Sequence, residues 1–352
     1  MDFLLEGKPF DSLRPLRIYP HWHGIGLGYF VPQDILFSIW FFYGVLKLFT
    51  LIGIGYRGFT LPDFPYPQLQ SAGGYLFFGC FFLLRVFHGC WSKRKIFACG
   101  LLIIASGVVL TWMIFSGLSV TLATTYWLMV MLFTIVYVRI RAEIGMPYTW
   151  VYPYGMQREI LFLALGVPSN LRHLALLGGF FWLSRHFFLP LNAAYAADAI
   201  KLIAKGNIIS SKFSIWGFAG GAVGLWIAFF THLQAYYRRG ANFLEGTPGT
   251  GDFRTLVTVQ DYRWLSQLVD NPHLLRRERL SWVVYGTAVS GALMVLRRFW
   301  TSSPWHPLGF ILAGAYGHLC PYWFPCLVAW VVKGLILHYG GMRLYRKLIP
   351  YS

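Results

Sequence analysis

Apolar residues in this chain fall into long runs, not into the alternation of a half-buried strand. Ile35 to Tyr56, ILFSIWFFYGVLKLFTLIGIGY, carries one charge, Lys47, and ends at the proline-rich LPDFPYPQ. Proline removes a backbone donor and disfavours helix before it, so the run predicts a helix with a definite stop. Ala72 to Phe87, Phe97 to Leu118 and Val120 to Ile140 repeat the pattern, the last two joined with almost no loop. About 20 apolar residues cross a bilayer at 1.5 Å per residue, and a bundle of α-helices satisfies every backbone group in lipid. Residues 35–140 therefore predict four spans, preceded by an N-terminal interfacial segment at 1–34. A membrane β-barrel would show alternating segments of about ten residues. These runs are longer and apolar all round.

The pattern then becomes irregular. YTWVYPYGMQREILFLALGVPSNLRHLALLGGFFWLSRHFFLP places Pro147, Pro153, Pro168 and Pro190 at intervals too short for full spans. Residues 141–211 thus predict broken or re-entrant helices, with at least one interruption between Gly145 and Pro190. They end in the amphipathic NAAYAADAIKLIAKGN, where Asp198, Lys201 and Lys205 share helical spacing. Such backbone is tolerated at membrane depth only where it is buried in protein or lines an aqueous cavity. Residues 212–237 predict another span, 238–279 a polar loop, and 280–338 the C-terminal spans Leu280 to Leu296, Leu308 to Leu319 and Phe324 to His338. CPYW separates the last two at the level of an interface or a half-helix junction, and 339–352 form a basic tail. The fold class is all-α: a polytopic integral membrane helix bundle of about eight spans with discontinuous helices in its middle.

Composition agrees. Of 352 residues 57% are hydrophobic and 12% charged, about half the charged share of a soluble domain. The net charge of +17 comes from basic residues in the gaps between apolar runs, where topology signals and anionic headgroups account for them. The partner is then the lipid bilayer and not nucleic acid. Arg85, His88, Lys93, Arg94 and Lys95 form a dense basic loop, which the positive-inside rule places in the cytoplasm together with Arg139 to Arg158. Five cysteines form neither a disulfide framework nor a zinc pattern, and no metal or other cofactor is expected. The first 24 residues carry Asp2, Glu6 and Asp11 and lack the apolar core of a signal peptide. HExxH and GxSxG are absent, GTPGTG lacks the lysine of a phosphate loop, and His21 and His23 in PHWHG suit interfacial packing. No enzyme is expected.

Candidate chemistry starts at VYVRIRAEIGMPYTW. Arg139 and Arg141 read as the cytoplasmic stop of the fourth span, while Glu143 stands four residues after Arg139, on the same helix face, just before a break at Gly145 and Pro147. A charge pair at a broken helix end suits a substrate or ion pathway, with Glu143 alternating between a salt bridge and a protonated state. Arg172, His173, Arg185, His186, Asp198 and Lys201 are further pathway candidates. Lys333, inside LVAWVVKGLILHYGG, reads as structural, its stem snorkelling to the interface.

The C-terminal sequence carries His306-Pro307-Leu308-Gly309, Trp323-Phe324-Pro325, Ala329-Trp330 with Lys333, and Tyr339-Gly340-Gly341 before Arg343-Leu344-Tyr345-Arg346. With YFVPQDILFSIWFF and RIRAEIGMP upstream, these motifs resemble a group of large bacterial polytopic membrane proteins known only as domains of unknown function. The resemblance implies the C-terminal half of such a protein, lacking its last span, in a bacterial inner (cytoplasmic) membrane, with a missing N-terminal half or a second copy as partner. DAIKLIAKGNIISSKFSIWGFAGGAVGLWIAFF is similar in layout to the lysine-containing segment before a Gly-rich helix in the oligopeptide transporter family, with Ser210-Ser211-Lys212 where that layout has a proline pair. That likeness implies a many-span carrier of peptides or metal chelates, commonly driven by protons. The expected function is part of a secondary transporter. A non-transporting membrane subunit or scaffold is the alternative, and a membrane enzyme stands furthest away.

Overall fold

Each long apolar run forms a helix whose ends sit where the sequence supplies a stop. The computed structural model describes residues 7–16, 18–58, 63–88, 93–145, 152–183, 188–205, 210–240, 253–271 and 274–349. A short helix, α1 (Trp22–Gly28), precedes α2 (Gln33–Thr50), which Pro32 opens and which continues through a π-helical turn, Leu51–Tyr56. Next come α3 (Pro67–His88), with proline at its first position where no donor is lost, and α4 (Lys93–Phe115). A tight connection leads into α5 (Val120–Ile144), where the Ser119 hydroxyl accepts from the Leu122 N–H at 3.4 Å. Gly145 ends α5 in the left-handed conformation at φ 67°, which a glycine adopts without strain.

The middle of the chain is broken, as its prolines predict. The helices α6 (Met156–Leu165) and α7 (Leu171–Phe180) have ten residues each, and α8 (Phe188–Lys205) follows one 3-10 turn, Phe181–Leu183. No straight helix crosses Leu161 to Leu189. The 30-residue α9 (Ser210–Arg239) covers the span expected at 212–237, and the stretch expected to be a polar loop contains an 18-residue helix, α10 (Phe253–Asp270). At the C-terminus stand α11 (Leu280–Phe299), α12 (Pro307–Gly314) and α13 (Trp323–Leu348). Among the described residues the chain is all-helical, and six helices are long and apolar enough to cross a membrane: α2 with its π turn, α3, α4, α5, α11 and α13. The expected span Leu308 to Leu319 is instead the eight-residue α12, every residue of which is buried. Eight residues rise only about 12 Å, too little to cross.

The chain divides into two compact units, Met1–Gly166 with Phe180–Ala194 and Leu275–Ser352, and Val167–Gly179 with Tyr195–Leu274. In the smaller unit Gly178 of α7 faces Tyr262 and Leu265 of α10, and the Tyr262 hydroxyl donates to the Ala175 carbonyl at 3.4 Å. Its α9 leaves Trp216, Leu225, Trp226 and Phe229 exposed.

In the larger unit α3 is the centre. It runs parallel to α11 at very close range, because Gly73 faces the Val283 carbonyl and Gly286 faces the Gln70 carbonyl, where a methyl group on either would overlap backbone. Small residues let membrane helices approach this way, and Thr287 Oγ1 seals the contact by donating to the Gly73 carbonyl at 3.0 Å. On its other side α3 runs parallel to α5, with Tyr75 stacked on Phe133 at 5.2 Å and the Arg139 guanidinium over Phe82. Opposite α11, α2 runs antiparallel, its Asp34 paired with Arg297. The C-terminal ends of α3, α5 and α11 therefore lie together, and Arg85, Arg139, Arg141, Arg297 and Arg298 collect at one end of the bundle. By contrast α4 contributes little to the core: only 6% of its Ile96–Phe115 window is buried.

The helix α12 and the first half of α13 form a re-entrant hairpin against α2. Going in, Gly309 faces Ser38, Phe310 meets Phe42 at 5.4 Å, and the Tyr43 hydroxyl donates to the His318 carbonyl at 3.1 Å. Coming back, Trp323 stacks on Tyr43 at 5.6 Å, Trp330 packs on Phe37 and Trp40, and Ala329 faces Gly28. The turn thus sits beside Tyr43, ten residues into α2 from Gln33. Ten residues rise about 15 Å, half of a hydrocarbon core about 30 Å thick. Past the hairpin, Gly341 breaks α13 at φ 59° and ψ −167°.

Candidate polar cavity at the re-entrant turn

The irregular backbone before α2 needs partners for its polar groups, and two lysines supply them. Lys47 Nζ donates to the carbonyls of Leu13 and Pro15 at 3.0 and 2.9 Å. Lys333 Nζ donates to those of Tyr29 and Val31 at 3.0 and 2.8 Å, with its charge 5.2 Å from the centre of the Tyr345 ring. Both side chains are buried. Lys333 fastens the segment before α2 to α13.

The two ends of α12 are polar. At its start the backbone N–H of His306 donates to Ser38 Oγ at 2.7 Å, and the Ser38 hydroxyl donates to Asp34 and Pro304 carbonyls. His306 Nδ1 caps the helix by accepting from the Leu308 N–H at 3.1 Å, which requires that nitrogen to be unprotonated. Burial and the nearby Arg297 cation push the imidazole down to about 4, against the opposing pull of Asp34. Arg297 and Asp34 pair at 2.6 Å beside it.

At the other end of α12 the turn Tyr316 to Leu319 borders a cavity of about 350 Å³, whose lining also includes Asp63, Tyr66, Gln68, Glu159 and Arg279. The starts of α3 and α11 and the first turn of α6 place these side chains. Glu159 and Arg279 approach to 4.0 Å with side chains 18% and 23% exposed, and the Arg279 guanidinium lies over the Tyr66 ring at 5.2 Å. Burial raises the Glu159 carboxyl above the usual carboxylate range. The cations of Arg279 and Arg158 oppose that rise, and Asp63 adds to it. Burial lowers the His318 imidazole, with Lys47 adding to the effect and Asp63 opposing it. Two carboxyls, one of them raised by burial, a guanidinium, an imidazole lowered by burial and two phenols line one pocket. That set can hold a small polar solute by hydrogen bonds and can take up or release a proton.

The residues singled out from the sequence lie elsewhere. Arg139 and Glu143 pair at 2.5 Å as their spacing predicts, at a half-exposed position on the last turns of α5, with Arg141 in the same turn. Arg172 and His173 open α7, and Asp198 and Lys201 sit on α8, all four in the smaller unit. Arg185, His186 and Pro147 lie outside the described residues. No group of three or more possible metal ligands occurs among the described residues. The C-terminal motif builds the hairpin: His306 caps α12, Pro307 opens it, Gly309 admits Ser38, and Trp323, Phe324 and Pro325 start α13. Trp330 and Lys333 dock α13, and Gly340 and Gly341 mark its break. Asp63, Glu159 and Arg279 escaped the sequence reading. The signal available was the polar Gln-Arg-Glu triplet at the head of an apolar short helix, MQREILFLAL.

No curated protein and no solved structure matches the chain, so the layout likeness to oligopeptide transporters gains no support from a relative. A family model does match, over residues 1–352, and the chain, all-helical with six membrane-length apolar helices among its described residues, belongs to that family of unknown function, DUF6785.

Proposed function

We propose that this chain is the solute-binding bundle of a secondary transporter and that the cavity at Glu159 and Arg279 is its solute site. The observation that carries the reading is the re-entrant hairpin, whose turn borders a polar cavity containing an acid that burial raises above the usual carboxylate range. Interrupted helices beside a central polar site are how carriers bind solutes within a bilayer. In this reading Glu159 replaces Glu143 as the coupling acid, because a proton moves on or off a half-buried carboxyl at higher pH than on or off an exposed one. Arg279 holds an anionic group of the solute. The arginines gathered at one end of the bundle face the cytoplasm by the positive-inside rule, in a bacterial inner membrane.

The test is reconstitution into liposomes carrying a trapped pH dye, challenged with pools of amino acids and short peptides under an imposed pH gradient. Solute-dependent proton flux is expected. Glu159→Gln should keep exchange and lose gradient-driven accumulation, whereas Arg279→Gln should lose both. Absence of flux with every pool, from a folded protein, would overturn the reading and leave the non-transporting subunit, which the broad exposed face of α4 favours.

A further inference from the structure

A second cavity lies away from that site. It is a groove of about 830 Å³ formed by α3, α4 and α5 and bordered by Ala193 of α8, with Phe82, Val86, Leu102, Ile135 and Val138 among its walls. Two cations also line it: Arg85, over the Phe81 ring at 4.7 Å, and Arg139, over the neighbouring Phe82 ring at 5.6 Å. Both stand at the end of the bundle where the arginines collect.

We propose that this groove holds one anionic phospholipid, its phosphate between Arg85 and Arg139 and an acyl chain along the apolar trough. Three observations support this occupant over a protein partner. The groove is bounded by α4, the span least buried in the bundle, so a lipid enters sideways from the bilayer without crossing water. Its charged groups stand at the headgroup end, with walls beyond that are apolar except for Thr134, which is the amphipathic order of a phospholipid. The charge is also matched. Arg139 shares Glu143 at 2.5 Å, and no carboxylate pairs with Arg85 among the described residues, so the mouth carries one cation in excess, suited to a single phosphodiester. The Arg139–Glu143 pair acquires a use here: the carboxylate orients the guanidinium and leaves its other donors for phosphate.

Native mass spectrometry of the intact chain in detergent, with phosphatidylglycerol, phosphatidylcholine or glycerol phosphate added, tests this. One phosphatidylglycerol should remain bound, phosphatidylcholine should bind about tenfold or more weakly, and glycerol phosphate should not bind. Each of Arg85→Gln and Arg139→Gln should weaken phosphatidylglycerol binding by about tenfold, the worth of one charge-assisted hydrogen bond. Leu102→Trp places bulk in the trough from a half-exposed position and should displace the lipid while the protein elutes and melts as before. Equal retention of both phospholipids, or retention of phosphatidylglycerol by a folded Leu102→Trp variant, would overturn the proposal. Should an arginine variant fail to fold, the headgroup comparison and Leu102→Trp still decide.

Discussion

Two acid–guanidinium pairs of the same chemistry, Arg139–Glu143 and Arg279–Glu159, behave oppositely because of where they sit. The first is short, 2.5 Å, with both side chains about half exposed; the second is longer, 4.0 Å, with less than a quarter of either exposed. Water screens the short pair to at most about 1 kcal/mol. Little water reaches the long one, and burial raises its acid above the usual carboxylate range. Distance alone would rank the short pair first. Burial is what separates the two.

The comparison can be broken or sharpened by four changes, taken from the largest effect to the smallest. Lys333→Met removes a cation buried more deeply than either pair and orphans two carbonyls, each costing about 1–3 kcal/mol. A sharp loss of folded yield and of midpoint in detergent-titrated unfolding is expected, and wild-type behaviour would mean the clamp is dispensable. Arg279→Leu leaves Glu159 without its nearest cation. A loss of about 2 kcal/mol near neutral pH is expected, discounted from the value for a fully buried pair because some water reaches the cavity.

pH supplies the third. A carboxyl raised by burial contributes stability that is complete below its unfolded value and is lost as pH rises through its folded one. Glu159→Gln should therefore remove a fall in melting temperature that begins as pH rises above 4.5. His306, pushed down to about 4, acts with the opposite sign: its contribution holds above 6.5 and is lost as pH falls from 6.5 toward about 4, a loss that His306→Asn should remove. A profile identical in the variants would show that neither group titrates with folding. The smallest effect belongs to Glu143→Gln, at most about 1 kcal/mol, with solute exchange and accumulation both unchanged. Loss of accumulation alone would return the coupling role to Glu143.

Spans were legible because lipid demands length: the runs at 35–56, 97–118 and 120–140 have no competing interpretation once 20 apolar residues are present. The Arg139–Glu143 pair was legible because i,i+4 spacing is a local property of one helix. Leu308 to Leu319 misled, since a buried half-helix is as apolar as a short span; only GHLCPYW told of a turn. The cavity was beyond reach for a related reason. Asp63, Glu159, Arg279 and His318 come from four separate stretches of chain, and their meeting depends on the parallel packing of α3 and α11, set by backbone contacts at Gly73 and Gly286 that no periodicity encodes.

The Lys333 clamp also sets a clock. Its partners, Tyr29 and Val31, lie 304 and 302 residues earlier in the chain. At about 5–20 residues per second of synthesis, roughly 15–60 s separate the emergence of those carbonyls from that of the ammonium that satisfies them. In hydrocarbon each unsatisfied group costs several kcal/mol, so the segment before α2 must wait in water, at the interface or inside the insertion machinery. The segment before α2 is then made well before it can settle, and the hairpin of α12 and α13 is what closes the bundle over it.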